Sequence, residues 1–315
     1  MSRYIIKRLL MAIPVLIGIT IIDYALMCAA GSPLEMMVGA RFSQSALELK
    51  AAQLGLNQPI YVQYFYWLME LLQGNLGTSI KTYQSVSTMI GSHIGPTLLL
   101  MGTSLILSLV IALPVGIYSA VNQYSKKDFT IVTTSFVASS IPSFFLSLIF
   151  IYLFALVLKW LPSSGMTTLG ADFNFLDLLA HMALPVSVLT LSLAGSNIRY
   201  IRTSMLEILQ KDYLKAALAK GIGKRKVLWK HAFKNALLPI ISVIGMQIPM
   251  LFGGAVVVEQ VFSWPGLGLL MTSAITSRDY PVIMGVCLLS AVVVLVANLL
   301  TDIAYALVDP TVKLK

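Results

Sequence analysis

Several groups of residues in this chain come close to a known chemistry, and each stops short of it. Gly223 and Lys224 have the last glycine and the lysine of a phosphate-binding loop, G-x-x-x-x-G-K-[ST]. Leu218, however, stands at the first glycine position and Arg225 at the hydroxyl position. Gly266 and Gly268 in PGLGLLM lack the third glycine of a dinucleotide fingerprint and follow no buried strand. His93, His181 and His231 are far apart in sequence and fall on opposite membrane faces in the topology below, so no histidine metal site is assigned. Inside the apolar spans, Asp23 and Asp302 are the carboxylates that a coupled carrier would use. For each, a local hydrogen bond to a neighbouring helix is the simpler role. Cys28 and Cys287 lie in apolar spans as small hydrophobes. The chain is therefore expected to have no catalytic residue, no metal site and no cofactor of its own.

What remains is the framework that would hold a conduit. With 57% hydrophobic and 11% charged residues, most of the 315-residue chain must sit in lipid. A helix crossing a hydrocarbon core of about 30 Å needs roughly 20 apolar residues. Windows of that kind fall at 9–30, 96–121, 130–158, 182–198, 236–258 and 282–306. The first, which follows Arg3, Lys7 and Arg8, is read as retained rather than cleaved. Seventeen Lys and Arg fall on one side of these spans and only Arg41, Lys50, Lys81, Lys159 and Arg278 on the other. Basic residues accumulate in cytoplasmic loops, so both termini are expected there. The net charge of +9 then reports orientation and contact with anionic membrane lipid, not nucleic-acid binding.

These boundaries give an N-terminus and first span over 1–30 and an extracytoplasmic region over 31–95. A core of five spans follows over 96–306, and a cytoplasmic tail over 307–315. In the extracytoplasmic region, Ser45 and Glu48 form a capping-box pattern with a stop at Gly55. IYVQYFYWLMELLQG then predicts an interfacial helix ending at Gly74. The segment EQVFSWPGLG is too apolar for a solvent loop. Packing into protein and anchoring at the membrane interface both stay open for it. The fifth span groups Gly245, Gln247, Pro249, Gly253 and Gly254, a polar side chain among helix breakers, which suits a pathway helix or close packing through small residues.

Residues 199–235 form a basic island: Arg199, Arg202, Lys211, Lys215, Lys220, Lys224, Arg225, Lys226, Lys230 and Lys234 against Glu207 and Asp212. A helix is predicted from about Thr203 to Lys220, a turn at Gly221 and Gly223, and a second helix toward Pro239. Small Ala216, Ala217 and Ala219 leave room for a partner, and a solvated loop attracted to anionic lipid is the plain alternative.

Lys215, Ala216, Ala217 and Gly221 resemble the E-A-A-x-x-x-G coupling signature of ABC-importer permeases, with lysine in place of the glutamate. DYLKAALAKG followed by HAFKNALLP is similar to the variant of this loop in the oligopeptide, dipeptide and nickel permeases. So are RYIIKRLLMAIPVL, GSP at 31–33, LGLNQPIYVQYFYWL, GNLGTS, IPSFF, WLPSSG, VFSWPGLG, SRDYPVIMG and YALVDP, in this order. The resemblance covers nearly the whole chain and points to the first of the two permease subunits. It implies an all-α membrane protein with six transmembrane helices, the type I ABC importer permease fold, with an insertion between the first two.

The resemblance also implies a bacterial or archaeal cell membrane and a division of labour. A second homologous permease completes a heterodimer, two cytoplasmic ATPases carry ATP and Mg2+, and an extracytoplasmic binding protein delivers the solute. Asp212, Tyr213, Lys215, Ala216, Ala217 and Gly221 would then meet an ATPase. Ser139, Ser140, Gln247 and Met250 are expected along the translocation path, and Trp264, Pro265, Gly266 and Gly268 facing the binding protein. The expected cargo is an oligopeptide or dipeptide, with nickel or a nickel chelate as the alternative. An ATP-independent carrier or channel, or a membrane-anchored scaffold, are the readings from other classes.

Overall fold

A computed structural model describes residues 2–29 and 58–308 of the chain. The expected capping box at Ser45 and Glu48, the stop at Gly55 and the GSP run at 31–33 lie outside the described residues. Ten α-helices of eight residues or more follow in order among them: α1 (Ser2–Ala29), α2 (Ile60–Leu72), α3 (Val86–Val121), α4 (Lys126–Ser140), α5 (Ser143–Phe150), α6 (Phe175–Leu209), α7 (Asp212–Ala219), α8 (Lys234–Val261), α9 (Leu267–Thr276) and α10 (Tyr280–Val308). The wide turns of a π-helix extend α5 over Ile151–Val157 and lead into α8 over Val227–Phe233.

Five of the described helices are long and apolar enough to cross a membrane, and α4 with α5 makes a sixth span if the bent pair counts as one. That agrees with the six windows read from hydropathy. Helix lengths differ from the windows because the apolar run marks only the part suited to lipid, whereas the hydrogen-bonded backbone continues into polar flanks. The fourth window, the shortest, belongs to a helix of 35 residues.

The expectation that Pro249 would break the fifth span is corrected, since α8 is continuous through Pro239 and Pro249. The break occurs instead in the third span, where Ile141 and Pro142 leave the helical conformation and the axis turns by 94°. Proline removes one donor in mid-helix, whereas at Pro142 the preceding residue is also pushed to extended backbone. Ile141 sits at φ −75°, ψ 123° accordingly.

The chain divides into two compact units. The first, Met1–Gly95 with Leu269–Leu295, contains α1, α2 and the segment joining α2 to α3. Here the expected helix forms as α2, ends at Leu72 and is followed by Gly74 at φ 84°. Its inner face meets α1 through Tyr64 and Trp67, which pack on the ring of Tyr24 at centroid distances of 5.6 and 5.7 Å. Asp279 accepts hydrogen bonds from Ser79 Oγ and, at 3.1 Å, from Ile80 N–H. Two of the motifs quoted above, GNLGTS and SRDYP, are thereby joined by a buried carboxylate.

The second unit, Pro96–Gly268 with Val296–Lys315, holds most of α3, all of α4 to α8, and two apolar clusters. One, around Leu100, Leu184, Val188, Val258, Phe262 and Trp264, fills the end where α8 finishes. The other, around Ile117, Ile201, Met205, Leu214, Val227 and Ala236, fills the end where α6 finishes.

Candidate functional site

At the second of these ends the chain leaves α6 at Leu209, passes through Gln210 and Lys211, and starts α7 at Asp212. The single helix expected from Thr203 to Lys220 is thus corrected to two. Lys211 adopts extended backbone at φ −67°, ψ 139°, which swings α7 round until Leu214 is buried to 2% among the residues of the second cluster. Burial of one leucine against many neighbours outweighs the helix propensity of a KDYLK run.

Gly221 closes α7 at φ 79°, with Ile222 N–H bonded to Ala217 O at 3.2 Å and Gly221 N–H to Leu218 O at 3.0 Å. This pair of bonds is the Schellman stop, which places its C′ residue in the left-handed region that glycine enters without steric cost. Tyr213 Oη accepts from Asn235 Nδ2 at 3.0 Å, a second tie back to the body.

The outward face of α7 carries Asp212, Tyr213, Lys215 and Ala216, all exposed, with Ala217 half-buried at its edge. The Lys215 ammonium, 2.8 Å from Asp212, holds that carboxyl below the usual carboxylate range. Both groups stay in solvent, so their pairing contributes little to stability. The result is a short helix with a mixed polar and small-residue face outward, fixed by one buried leucine and one tyrosine.

Arg199 and Arg202, counted with the basic island in the sequence, do not belong to that surface. Both lie within α6 and reach α4. Arg202 pairs with Asp128 through Nε and Nη2 at 2.7 and 2.8 Å, and Arg199 donates to Ser135 O at 2.9 Å and Ser139 Oγ at 2.8 Å.

At the opposite end of this unit, VFSWPGLG forms a closed knot. Glu259, 0% exposed, accepts from Thr97 Oγ1 and from Gly268 N–H, each at 2.7 Å, while Leu267 N–H donates to Thr97 Oγ1 at 2.7 Å. Trp264 is also 0% exposed and donates from Nε1 to Pro96 O at 3.0 Å. The WLPSSG run joins the knot through Gly165 N–H to Phe262 O at 2.8 Å. A Cβ on Gly266 would fall on the Glu259 carboxylate, and one on Gly268 would come 2.5 Å from Val256 Cα.

Of the two readings left open for this loop, packing into protein is what the chain does. Trp264 presents no ring outward. Among Trp264, Pro265, Gly266 and Gly268, Pro265 alone is half-exposed and the rest are buried.

The expected path residues are distributed differently. Gln247 is 7% exposed and donates to Asn197 Oδ1 at 2.5 Å, and Asn197 donates to Ser108 Oγ at 3.3 Å, a polar chain linking α8, α6 and α3. Ser139 is held by Arg199, and Ser140 is exposed just before the bend. Met250 lies in α8 with its side chain outside the described residues. Among the described residues no group of three His, Cys, Asp or Glu comes together as metal ligands.

Sequence reading missed Glu259 and Asp128. A carboxylate that directly follows AVVV and precedes QVF is a signal for the first, since such a group needs buried donors. Asp128 directly follows Lys126 and Lys127, between the windows ending at 121 and starting at 130, where no local pattern marks it as buried.

Two family models cover almost the entire chain. Residues 112–314 match the binding-protein-dependent transport system inner membrane component, and residues 1–94 match the N-terminal part of such membrane components. The chain belongs to this family. It is a multi-pass membrane permease, and its relatives span the same length. The oligopeptide transport system permease protein AppB of Bacillus subtilis (strain 168) is 46% identical over 99% of the permease and 100% of the relative. The dipeptide transport system permease protein DppB of Alkalihalophilus pseudofirmus is 35% identical over 99% and 100%. The glutathione transport system permease protein GsiC of Salmonella choleraesuis is 34% identical over the full length of both.

Among solved structures, a chain of the inward-facing MetNI methionine ABC transporter superposes with a TM-score of 0.58 at 19% identity, covering 70% of the permease and 96% of that chain. The all-α importer permease fold is therefore shared. The family works with ATPase and binding-protein subunits, so the permease's own part is transport.

Proposed function

We propose that this chain is the first permease subunit of an ATP-driven importer of oligopeptides or dipeptides, lining half of the path by which a receptor-delivered peptide enters the cell. The observation that carries this reading is α7. It is a short, outward-facing helix with small residues, pinned by Leu214 and closed by Gly221, in a chain whose relatives bear oligopeptide, dipeptide and glutathione permease names. Asp212, Tyr213, Lys215, Ala216 and Ala217 are the surface it offers to an ATPase. Closure of the ATPase dimer would displace α7 as a body and rock the attached spans between two arrangements.

In this reading a related second permease completes a heterodimer in a bacterial or archaeal cell membrane, and both termini are cytoplasmic. The 31–95 region and the VFSWPGLG end then lie outside, toward the binding protein. Buried Trp264 and Glu259 set the shape of that end, and exposed Ser263 with half-exposed Pro265 is the part left for contact. Gln247 acts on the path from between helices and not from an open wall.

The test is Gly221→Trp in the complete assembly. Nothing lies within 4 Å of a Cβ at this position, so the larger side chain projects outward from α7. Insertion should be retained, the ATPases should fail to co-purify, and ATP-dependent uptake of a labelled peptide should be lost. Undiminished ATPase retention with normal uptake contradicts the docking role.

A further inference from the structure

The carboxylate of Asp128 is the meeting point of three helices. It accepts from Ser119 Oγ near the end of α3, from Tyr124 N–H at 2.9 Å in the turn that follows, and from both Nε and Nη2 of Arg202 on α6 at 2.7 and 2.8 Å. Its own N–H is capped by Ser125 Oγ at 3.1 Å, which makes it part of the first turn of α4. The Asp128 side chain is 4% exposed and that of Arg202 is 20% exposed, so the pair is shielded more than a surface bridge. A planar guanidinium held by two parallel bonds fixes orientation as well as distance.

Position makes this joint mechanical. Arg202 stands two helical turns before Leu209, where α6 ends and hands over to α7. Farther up α6 there are two more contacts with α4. A Cβ on Gly195 would come 2.5 Å from Ser135 O, so the two backbones lie against each other, and Arg199 binds Ser135 O and Ser139 Oγ. Arg199 also stacks over Phe136 at 5.7 Å. Helix α4 is thus gripped along its length by α6, up to the residue pair where the chain turns by 94°.

We propose that the Asp128–Arg202 pair, with Ser119 and Tyr124 N–H, is the joint that passes displacement of α7 from α6 to α3 and α4, with Ile141–Pro142 as the point where that movement is released. Asp128 and Arg202 are positioning residues in this account; neither touches the solute. The inference rests on the docking role proposed for α7.

The experiment uses the complete importer in proteoliposomes, with Ser119→Ala, Arg202→Lys and Asp128→Asn in turn. The readouts are ATPase retention, ATP hydrolysed, and labelled peptide accumulated per ATP. Loss of ATPase retention in Gly221→Trp, run alongside, tests the docking reading separately, and undiminished retention there defeats that reading before the joint is reached. With retention normal, Arg202→Lys should keep ATP hydrolysis while peptide per ATP falls roughly tenfold, within the roughly twofold to thirtyfold range of coupling changes along a mechanical network. Ser119→Ala should lower it by roughly two- to threefold.

A joint that only stabilises the fold would lower hydrolysis and uptake together and leave peptide per ATP unchanged. That result in Ser119→Ala and Arg202→Lys overturns the proposal, including where Asp128→Asn fails to assemble.

Discussion

The turn after α8 and the turn after α6 both end a long helix of the same unit, yet they are built in opposite ways. At Glu259–Gly268 the buried carboxylate and the buried indole are both answered inside the protein. The carboxylate takes a hydroxyl and an N–H, the indole finds a carbonyl, and both glycines are needed because Glu259 and Val256 occupy the space of a side chain. At Gln210–Gly221 a leucine, the edge of Ala217 and one tyrosine hydrogen bond hold the segment, and Asp212, Lys215, Ala216, Leu218 and Ala219 stay exposed. A buried, fully satisfied polar network specifies one arrangement, whereas a helix tethered along one edge keeps a surface for another protein. The first turn is a fixed corner and the second a handle.

The comparison breaks most readily at Gly268. Alanine there would bring Cβ within 2.5 Å of Val256 Cα, which is backbone and has nowhere to go. Overpacking of this kind should cost about 3 kcal/mol or more, seen as lost folded yield in detergent. A normal melting profile for Gly268→Ala would mean that the corner is not rigid.

Next comes Glu259→Gln, which keeps the shape but gives one of the two donors, Thr97 Oγ1–H or Gly268 N–H, an amide nitrogen that accepts nothing. A loss of about 1–3 kcal/mol in a denaturation series is expected.

At the handle the numbers shrink. Gly221→Ala meets no neighbour within 4 Å and should cost only the left-handed backbone, about 1–2 kcal/mol. Lys215→Ala removes an exposed pairing with Asp212 and should leave the melting temperature unchanged. Its effect, if α7 docks as proposed, appears in ATPase affinity alone. A destabilisation at Lys215 equal to that at Gly268 would erase the distinction between corner and handle.

The same contrast explains what was legible beforehand. Hydropathy gives the spans because lipid accepts only long apolar helices, and Gly221 announces a stop because few residues enter its backbone region. The break between Leu209 and Asp212 was not legible, since no glycine or proline marks it and its cause is the distant cluster that buries Leu214. The bend at Pro142 was hidden among Pro14, Pro114, Pro185 and Pro249, which all sit inside continuous helices. Trp264 reads from composition as a ring for a membrane surface or a partner, and only the tertiary fold shows Pro96 O waiting for its N–H. Asp128 and Arg202 are 74 residues apart, a pairing that no local pattern reveals.

The account depends on force entering through α7, and peptide accumulation in proteoliposomes measures that directly. With the second permease, the binding protein, both ATPases and ATP present, labelled peptide should concentrate inside, and the Gly221→Trp assembly should leave it at the external level. Accumulation by the isolated chain, with no ATPase or ATP added, would contradict the account.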